Sequence, residues 1–280
     1  MHRKVAADFR GTTNFATMDE VDLFRALAKS IVKYSPSTFV DETHGGNVCN
    51  VKFTSVVGNS ETCEIADLLI ISCGSSGQLR ATFWQAKKQD KSKWLSLVGG
   101  DKQFDFKGQF NQWDLLCRRP MVAGVARFRP PADLLSSFGS SSIGTIGVFY
   151  KDANGIQVNH SVAEFVGCSN PKPSSSRMTI NGYISRYSFN AQEVISRTSL
   201  DAFLEALFAC QIGAPLDPSV RSHAWLLSYV SKKIAQRNAI GNKAVISFGG
   251  SGVNTPQNDL DGYEPEDGLS VLVVVGANGA

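Results

Sequence analysis

Residues 62–73 read TCEIADLLIISC and residues 79–89 read LRATFWQAKKQ, and these two stretches decide the fold. Both are rich in β-branched, aliphatic and aromatic residues, which is typical of strands. Only residues 74–78 separate them, so we expect the two strands to pair antiparallel. Residues 47–57, NVCNVKFTSVV, read as a strand that precedes them. The pattern therefore predicts a three-stranded antiparallel meander.

A helix is predicted on each side of this meander. Residues 18–33 place apolar side chains on one broad face, and Thr17 with Glu20 has the spacing of a capping box. Residues 102–117 repeat aromatic side chains at helical spacing, and residues 144–150 form the next strand candidate. The predicted order is helix, three strands, helix, strand. The apolar face of the first helix comprises Val21, Leu23, Phe24, Leu27, Ala28, Ile31 and Val32.

Strand parity places polar side chains together. Side chains two apart on a strand face the same way, so Gln85 shares a face with Lys87. Asp67 lies inside the apolar run of residues 65–71, where a carboxylate is costly unless it is paired or binds a metal. Glu64 has the opposite parity, so only a bulge would bring it to the same face. If the strands align Asp67 near Gln85, a carboxylate, an amide and an ammonium group converge.

These groups suit the hydrolysis of a phosphodiester bond, which needs a hard cation, an activated water and stabilisation of added negative charge. Asp67 and the Gln85 side-chain oxygen are hard ligands for Mg²⁺ or Mn²⁺, and the Ala86 carbonyl oxygen is a candidate third ligand. Lys87 is suited to orient the water or to stabilise the developing charge. Glu20 lies on the apolar face of its helix, so it is either a second carboxylate ligand or a capping-box residue.

The order of elements and these residues resemble the PD-(D/E)XK nuclease superfamily. The pattern here reads Glu20, then Asp67, then Gln85-Ala86-Lys87, with Ala66 where the motif's name has proline. The glutamine form is similar to Mrr-type restriction nucleases and to nuclease domains of bacterial antiphage effectors. The resemblance covers residues 18–150 and implies an α/β fold with a restriction-endonuclease-like core. Such a core has the order α-β-β-β-α-β, with a mixed sheet flanked by helices.

The resemblance also implies an activity. It implies Mg²⁺-dependent endonucleolytic cleavage, for which we expect double-stranded DNA as the substrate. It assigns Asp67 and Gln85 as metal ligands, Lys87 as the catalytic lysine and Glu20 as the helix glutamate found in part of the superfamily. A role in restriction or antiphage defence follows from the resemblance alone. The chain has no visible sensor module, so we expect control by a partner protein or by homo-oligomerisation.

The most basic part of the chain follows the third strand, where a phosphate backbone would lie next to the predicted metal. Interspersed aspartates leave a solvated charged face as the alternative interpretation. The candidate nucleic-acid-binding residues are Lys88, Lys91, Lys93, Lys102, Lys107, Arg118 and Arg119.

We divide the chain into a nuclease-like core, residues 1–151, and a C-terminal α/β extension, residues 152–280. The extension is expected either to complete the same domain or to mediate assembly. Its predicted helices cover residues 200–210 and 218–237, and its predicted strands cover residues 155–167, 178–189, 243–248 and 269–275.

The bulk composition narrows the class of protein. With 280 residues, 28 Lys plus Arg and 25 Asp plus Glu, the net charge is +3, which neither requires nor excludes nucleic acid. No apolar run is long enough to cross a membrane, the N-terminus lacks a signal-peptide core, and the six cysteines form no CxxC pair. We therefore expect a reduced, cytoplasmic protein. Two alternatives to an enzyme stay open: a catalytically inactive nucleic-acid-binding module on the same fold, and an assembly subunit with a buried salt bridge.

Overall fold

A mixed β-sheet flanked by helices organises the chain. The computed structural model describes residues 1–35, 37–41, 49–89, 93–96, 102–125, 128–172, 175–181, 193–239 and 269–276. The helices are α1 (His2–Thr12), α2 (Glu20–Tyr34), α3 (Phe110–Arg118), α4 (Leu200–Phe208) and α5 (Arg221–Ala239). The strands are β1 (Phe39–Asp41), β2 (Asn50–Thr54), β3 (Ser60–Glu64), β4 (Leu68–Cys73), β5 (Leu79–Gln89), β6 (Lys93–Ser96), β7 (Lys102–Gly108), β8 (Ala123–Gly124), β9 (Gly144–Asp152), β10 (Gly155–Val162), β11 (Val166–Ser169), β12 (Ser176–Asn181), β13 (Ser196–Arg197), β14 (Ala214–Pro215) and β15 (Val271–Val275).

The main sheet has eight strands in the order β1-β15-β4-β5-β9-β10-β13, with β14 pairing beside β5. β5 pairs antiparallel with β4 and parallel with β9, and β15 pairs parallel with β4. Two smaller sheets have the orders β11-β12-β7-β6 and β3-β2-β8. Strands from both sides of the predicted division after residue 151 pair in the main sheet, and that division falls inside β9.

Alternating side chains bury both faces of the main sheet. Leu69 and Ile71 of β4 join a core that also contains α5 and the inner faces of the smaller sheets. Leu68 and Ile70 point the other way, into a core formed with α1, α2 and α4. Burying such a side chain stabilises the folded state by about 1.5–3 kcal/mol. The packed strands β4 and its neighbours therefore position the residues at their ends.

The start of α2 differs from the prediction. The N-cap is Asp19, which forms a reciprocal capping box with Asp22, so the predicted box from Thr17 is wrong. A carboxylate two residues closer to the helix satisfies the same backbone donors. This leaves the side chain of Glu20, the first helical residue, available for other contacts. Two residues of the predicted apolar face are exposed: Val21 and Val32.

Two other segments, each predicted as one element, form two elements in the structure. Residues 102–117 form β7 followed by α3 rather than one helix, because Phe104 and Phe106 alternate into the core with the period of a strand. Residues 62–73 form β3 and β4, separated by a bend at residues 65–67. The predicted meander is therefore divided between sheets: β2 pairs with β3, and β4 pairs with β5.

The C-terminal predictions have mixed outcomes. The strands at residues 155–167 and 269–275 correspond to β10 with β11 and to β15, and the two helices correspond to α4 and α5. β12 covers the start of the strand predicted at residues 178–189, and its remainder lies outside the described residues. The strand predicted at residues 243–248 also lies outside them.

Candidate active site

Asp67 lies in the bend before β4, directly beside Gln85 of β5. The antiparallel register pairs Leu68 with Trp84, which makes Asp67 and Gln85 the next opposing residues. Gln85 Nε2 donates a hydrogen bond to Asp67 Oδ2. The Ala86 backbone N–H donates to the same oxygen at 2.6 Å. The structure therefore brings the carboxylate of Asp67 and the amide of Gln85 into direct contact.

The other end of the Gln85 amide is left without a partner. Gln85 is 2% exposed, and its Oε1 accepts no hydrogen bond within the described part of the chain. A buried polar atom without a partner costs about 1–3 kcal/mol. Rotation of the amide by a half-turn would place Oε1 beside Asp67 Oδ2. Two oxygens at that separation repel each other unless a cation lies between them.

The pKa of Asp67 is raised above the ordinary value of an aspartate. Burial raises the pKa of Asp67 to about 6, and the nearby charge of Glu64 adds to this effect. The charge of Lys87 and the hydrogen bonds from Ala86 and Gln85 oppose it. A carboxylate that is desolvated in this way gains more from a bound cation than an exposed one does.

Glu20 faces the same place from the first turn of α2. Its Oε1 lies 3.9 Å from Lys87 Nζ, with side-chain exposures of 41% for Glu20 and 12% for Lys87. The Lys88 backbone N–H donates a hydrogen bond to the Glu20 carboxylate. Burial raises the pKa of Glu20, the charge of Lys87 lowers it and the charge of Asp67 raises it. Glu20 is thus directed at the site and does not cap its own helix.

The charge of Glu64 also acts on Asp67, although strand parity allowed Glu64 on that face only with a bulge. The Cys49 thiol donates to Glu64 Oε1 at 3.2 Å and to Ala66 O at 3.7 Å. The parity rule assumed one continuous strand, whereas the bend at residues 65–67 interrupts the alternation. The sequence contains no glycine or proline that signals this bend, so the pattern alone could not place Glu64 here.

The donor set fits a hard cation with few protein ligands. Within the ranges given above, no group of three or more His, Cys, Asp or Glu side chains is placed to hold a metal ion. Mg²⁺ commonly takes one or two carboxylates and completes its shell with water and other oxygens. Asp67 and Gln85 provide a carboxylate and an amide oxygen, which is consistent with that pattern. Ala86 contributes its N–H to Asp67, and its side chain is buried.

The predicted lysines have different surroundings. Lys102 and Lys107 are exposed on β7. Lys88 Nζ lies 4.8 Å from the centroid of the Phe15 ring. Lys93 begins β6, and Lys91 lies outside the described residues. Lys102 and Lys107 are therefore the members of this set whose side chains the structure describes as exposed.

The two arginines support the fold. Arg118 Nε donates at 2.5 Å to Asp114, which is fully buried. Arg119 ends α3 in the left-handed region, with φ of 55°, and its Nη1 donates to Phe138 O at 3.3 Å. Arg118 Nη2 also donates to Thr54 O of β2 at 2.8 Å, so both guanidinium groups link α3 to its neighbours, which is a role that the sequence did not reveal.

Comparison with protein-family models, curated proteins and solved structures finds no match to this chain. Among the helices that the structure describes, none combines the length and the apolar character needed to span a bilayer. Function therefore has to be inferred from the residues and distances of the site.

Proposed function

We propose that this chain is a metal-dependent endonuclease with a restriction-endonuclease-like core, hydrolysing phosphodiester bonds of double-stranded DNA. One observation carries the proposal: Asp67, Gln85 and the Lys87–Glu20 pair converge where β5 extends beyond β4. A carboxylate, an amide, an ammonium group and a second carboxylate in that arrangement match the requirements of metal-assisted hydrolysis.

Asp67 and Gln85 would hold Mg²⁺ or Mn²⁺, with the Ala86 carbonyl oxygen and Glu20 as further candidate ligands. Such a cation, when bound, neutralises a phosphoryl oxygen and lowers the pKa of a water molecule. Two features support this assignment. The unpartnered Oε1 of Gln85 lacks the donor or cation that a buried amide oxygen requires, and a cation would favour the ionised form of Asp67, which burial disfavours.

Lys87 and Glu20 have roles that complement the ligands. The 3.9 Å separation of Lys87 Nζ and Glu20 Oε1 is longer than a charge-assisted hydrogen bond, so the ammonium can turn toward an anionic phosphate. There it stabilises the negative charge that builds up during the reaction. The raised pKa of Glu20 makes its carboxylate a better proton acceptor for an attacking water than an exposed glutamate.

The biological setting is part of the same proposal. Lys102 and Lys107 offer exposed positive charge on β7, as contact with a phosphate backbone requires. We assign the activity to restriction or antiphage defence in the cytoplasm, controlled by a partner protein or by self-association. This setting rests on the resemblance of the Glu20, Asp67 and Gln85-Ala86-Lys87 pattern to such nucleases.

Digestion of supercoiled plasmid tests the proposal. Wild-type protein should nick or linearise the plasmid with Mg²⁺ or Mn²⁺ and leave it intact with EDTA. Lys87→Ala should reduce the rate about 100-fold or more, because it removes a charge that acts in the transition state. Lys151→Ala, which removes an exposed lysine at the end of β9, is the matched control and should cleave like wild type.

Three results would contradict this proposal: an intact plasmid with every metal and any partner supplied, cleavage that persists in EDTA, or equal cleavage by Lys87→Ala. Retained DNA binding without cleavage would instead support the catalytically inactive binding module. Loss of both would support the assembly subunit.

A further inference from the structure

Glu64 ends β3, three residues before Asp67, and belongs to the surroundings of that carboxylate. One sulfur atom, Cys49 Sγ, contacts both Glu64 Oε1 at 3.2 Å and Ala66 O at 3.7 Å. The Glu64 side chain is therefore folded back toward the peptide that leads into Asp67. The charge of Glu64 also raises the pKa of Asp67, as expected for two neighbouring carboxylates.

The Cys49 thiol holds Glu64 in this place. Cys49 is buried, and burial raises its pKa well above the ordinary value for a thiol. The sulfur therefore keeps its proton and remains a donor to the Glu64 carboxylate. Such a contact restrains one oxygen of the carboxylate and leaves the other available as an acceptor.

We propose that Glu64 is a positioning residue of the metal site, accepting hydrogen bonds from water molecules on a cation held by Asp67 and Gln85. The inference rests on the proposed function and names a residue that strand parity allowed on this face only with a bulge. In this role Glu64 contacts water and not the cation, which is consistent with the absence, among the described residues, of any group of three acidic, His or Cys side chains placed to hold a metal ion. Mg²⁺ and Mn²⁺ retain several waters, and carboxylates that receive hydrogen bonds from those waters strengthen binding.

The charge of Glu64 also supplies negative charge that the neutral side chain of Gln85 does not. A site with Asp67 as its nearest carboxylate binds a divalent cation weakly, because one negative charge neutralises only half of the charge of the cation. A second carboxylate in partly buried surroundings attracts the cation without occupying its coordination shell. The repulsion between Glu64 and Asp67 in the cation-free protein is relieved at the same time.

Mn²⁺ binding, followed by electron paramagnetic resonance, tests this inference in the full-length protein. Glu64→Gln should weaken Mn²⁺ binding about tenfold or more, and Glu64→Asp should recover part of the loss. Glu61→Gln is the matched control, since it removes the same charge from the same strand. Glu61 Oε2 accepts a hydrogen bond from Asn111 Nδ2 at 3.0 Å, away from Asp67.

The outcomes separate the inference from the proposed function. Asp67→Asn losing Mn²⁺ while Glu64→Gln binds like wild type would overturn the role of Glu64 and leave the nuclease proposal standing. Equal weakening by Glu64→Gln and Glu61→Gln would overturn it as well, since only bulk charge would then matter. Absence of Mn²⁺ binding by wild type would overturn both.

A second pair of variants covers the case in which Glu64→Gln fails to fold. Cys49→Ser keeps a hydrogen-bond donor beside Glu64, whereas Cys49→Ala removes it. Cys49→Ala should weaken Mn²⁺ binding more than Cys49→Ser does. Equal affinities for these two variants would contradict the positioning of Glu64 by Cys49.

Discussion

Two lysine–carboxylate pairs in this molecule differ in the distance between the charged groups and in their exposure to solvent. Lys233 of α5 lies 2.6 Å from Asp41 Oδ2, with side-chain exposures of 1% and 11%. Lys87 lies 3.9 Å from Glu20, with exposures of 12% and 41%. A short, buried pair is fully engaged in holding the fold. A longer, half-open pair beside an unpartnered amide oxygen keeps its charge available for a ligand.

Their neighbours show the same difference. Close to Lys233, the Tyr229 hydroxyl accepts from the Leu269 N–H at 2.8 Å and donates to Leu269 O at 3.1 Å, which fixes the chain just before β15. α5 is thereby tied to β1 and β15 at one side of the sheet. Around Lys87, by contrast, the nearby polar groups are Asp67 with a raised pKa and Gln85 with an unpartnered oxygen.

The largest effect on stability should come from the buried pair. Asp41→Ala leaves the Lys233 ammonium buried without its carboxylate, so the free energy of unfolding should fall by about 3–5 kcal/mol. Glu20→Ala should cost less than about 1 kcal/mol, because that pair is long and partly solvated. Urea denaturation followed by circular dichroism measures both.

An apolar replacement of both partners, Asp41→Leu with Lys233→Met, is the control and should recover most of the loss. Equal losses of the free energy of unfolding in Asp41→Ala and Glu20→Ala would contradict the assignment of the buried pair to stability and of the half-open pair to ligand binding.

The half-open pair should matter for activity instead. Glu20→Gln should slow DNA cleavage about 100-fold, which corresponds to about 2.7 kcal/mol of barrier, because an amide cannot accept the proton of the water. The free energy of unfolding should change by less than about 1 kcal/mol. Single-turnover cleavage at saturating Mg²⁺, together with urea denaturation, measures both quantities. Cleavage by Glu20→Gln at the wild-type rate would show that Glu20 is only a surface residue of α2 and takes no part in catalysis.

An effect of similar size concerns the pH dependence of stability. Since the pKa of Asp67 is raised from 3.8 to about 6, its contribution to stability is present below pH 4 and is lost as the pH rises through 6. Without metal, Asp67→Asn should therefore be more stable than wild type at pH 7.5, by about 3 kcal/mol. The two proteins should converge near pH 4. Thermal unfolding at both pH values tests this, and a difference that is the same at both would contradict it.

The smallest effect should come from the exposed lysines of β7. Lys102→Ala and Lys107→Ala should each reduce the slope of log K against log salt concentration for DNA binding by about 1. Fluorescence anisotropy with a short duplex at several salt concentrations measures that slope. Unchanged slopes would show that the DNA follows another surface.

Sequence reasoning is successful here where local pattern and tertiary structure agree. Strand periodicity predicted that Gln85 and Lys87 share a face, and the structure has the alignment of Asp67 with Gln85 on which the predicted site was conditional. It failed at residues 65–67, where the chain changes sheets without a glycine or proline, and this hid Glu64. Thr17 and Asp19 both begin a spacing that can cap α2, and the sequence does not show which residue the core positions at the first turn.

Nonlocal pairing lay beyond the sequence altogether. β15 inserts between β1 and β4, although about two hundred residues separate β4 from β15 along the chain. No local signal specifies such a partner, so the contribution of the C-terminal segment to the main sheet becomes visible only in the structure. Phe106 posed the opposite problem, because it fits a helical period with Phe110 and Trp113 and a strand period with Phe104 until packing decides.

Binding of Mn²⁺ to wild type and to Asp67→Asn, measured by isothermal titration calorimetry at pH 7.5 and pH 5, tests the central claim most directly. Wild type should bind at pH 7.5 and bind at least tenfold more weakly at pH 5, because protons compete for a carboxylate whose pKa is about 6. Asp67→Asn should lose this binding at both pH values while remaining folded. Equal Mn²⁺ affinity in wild type and Asp67→Asn would contradict a metal site at Asp67 and Gln85.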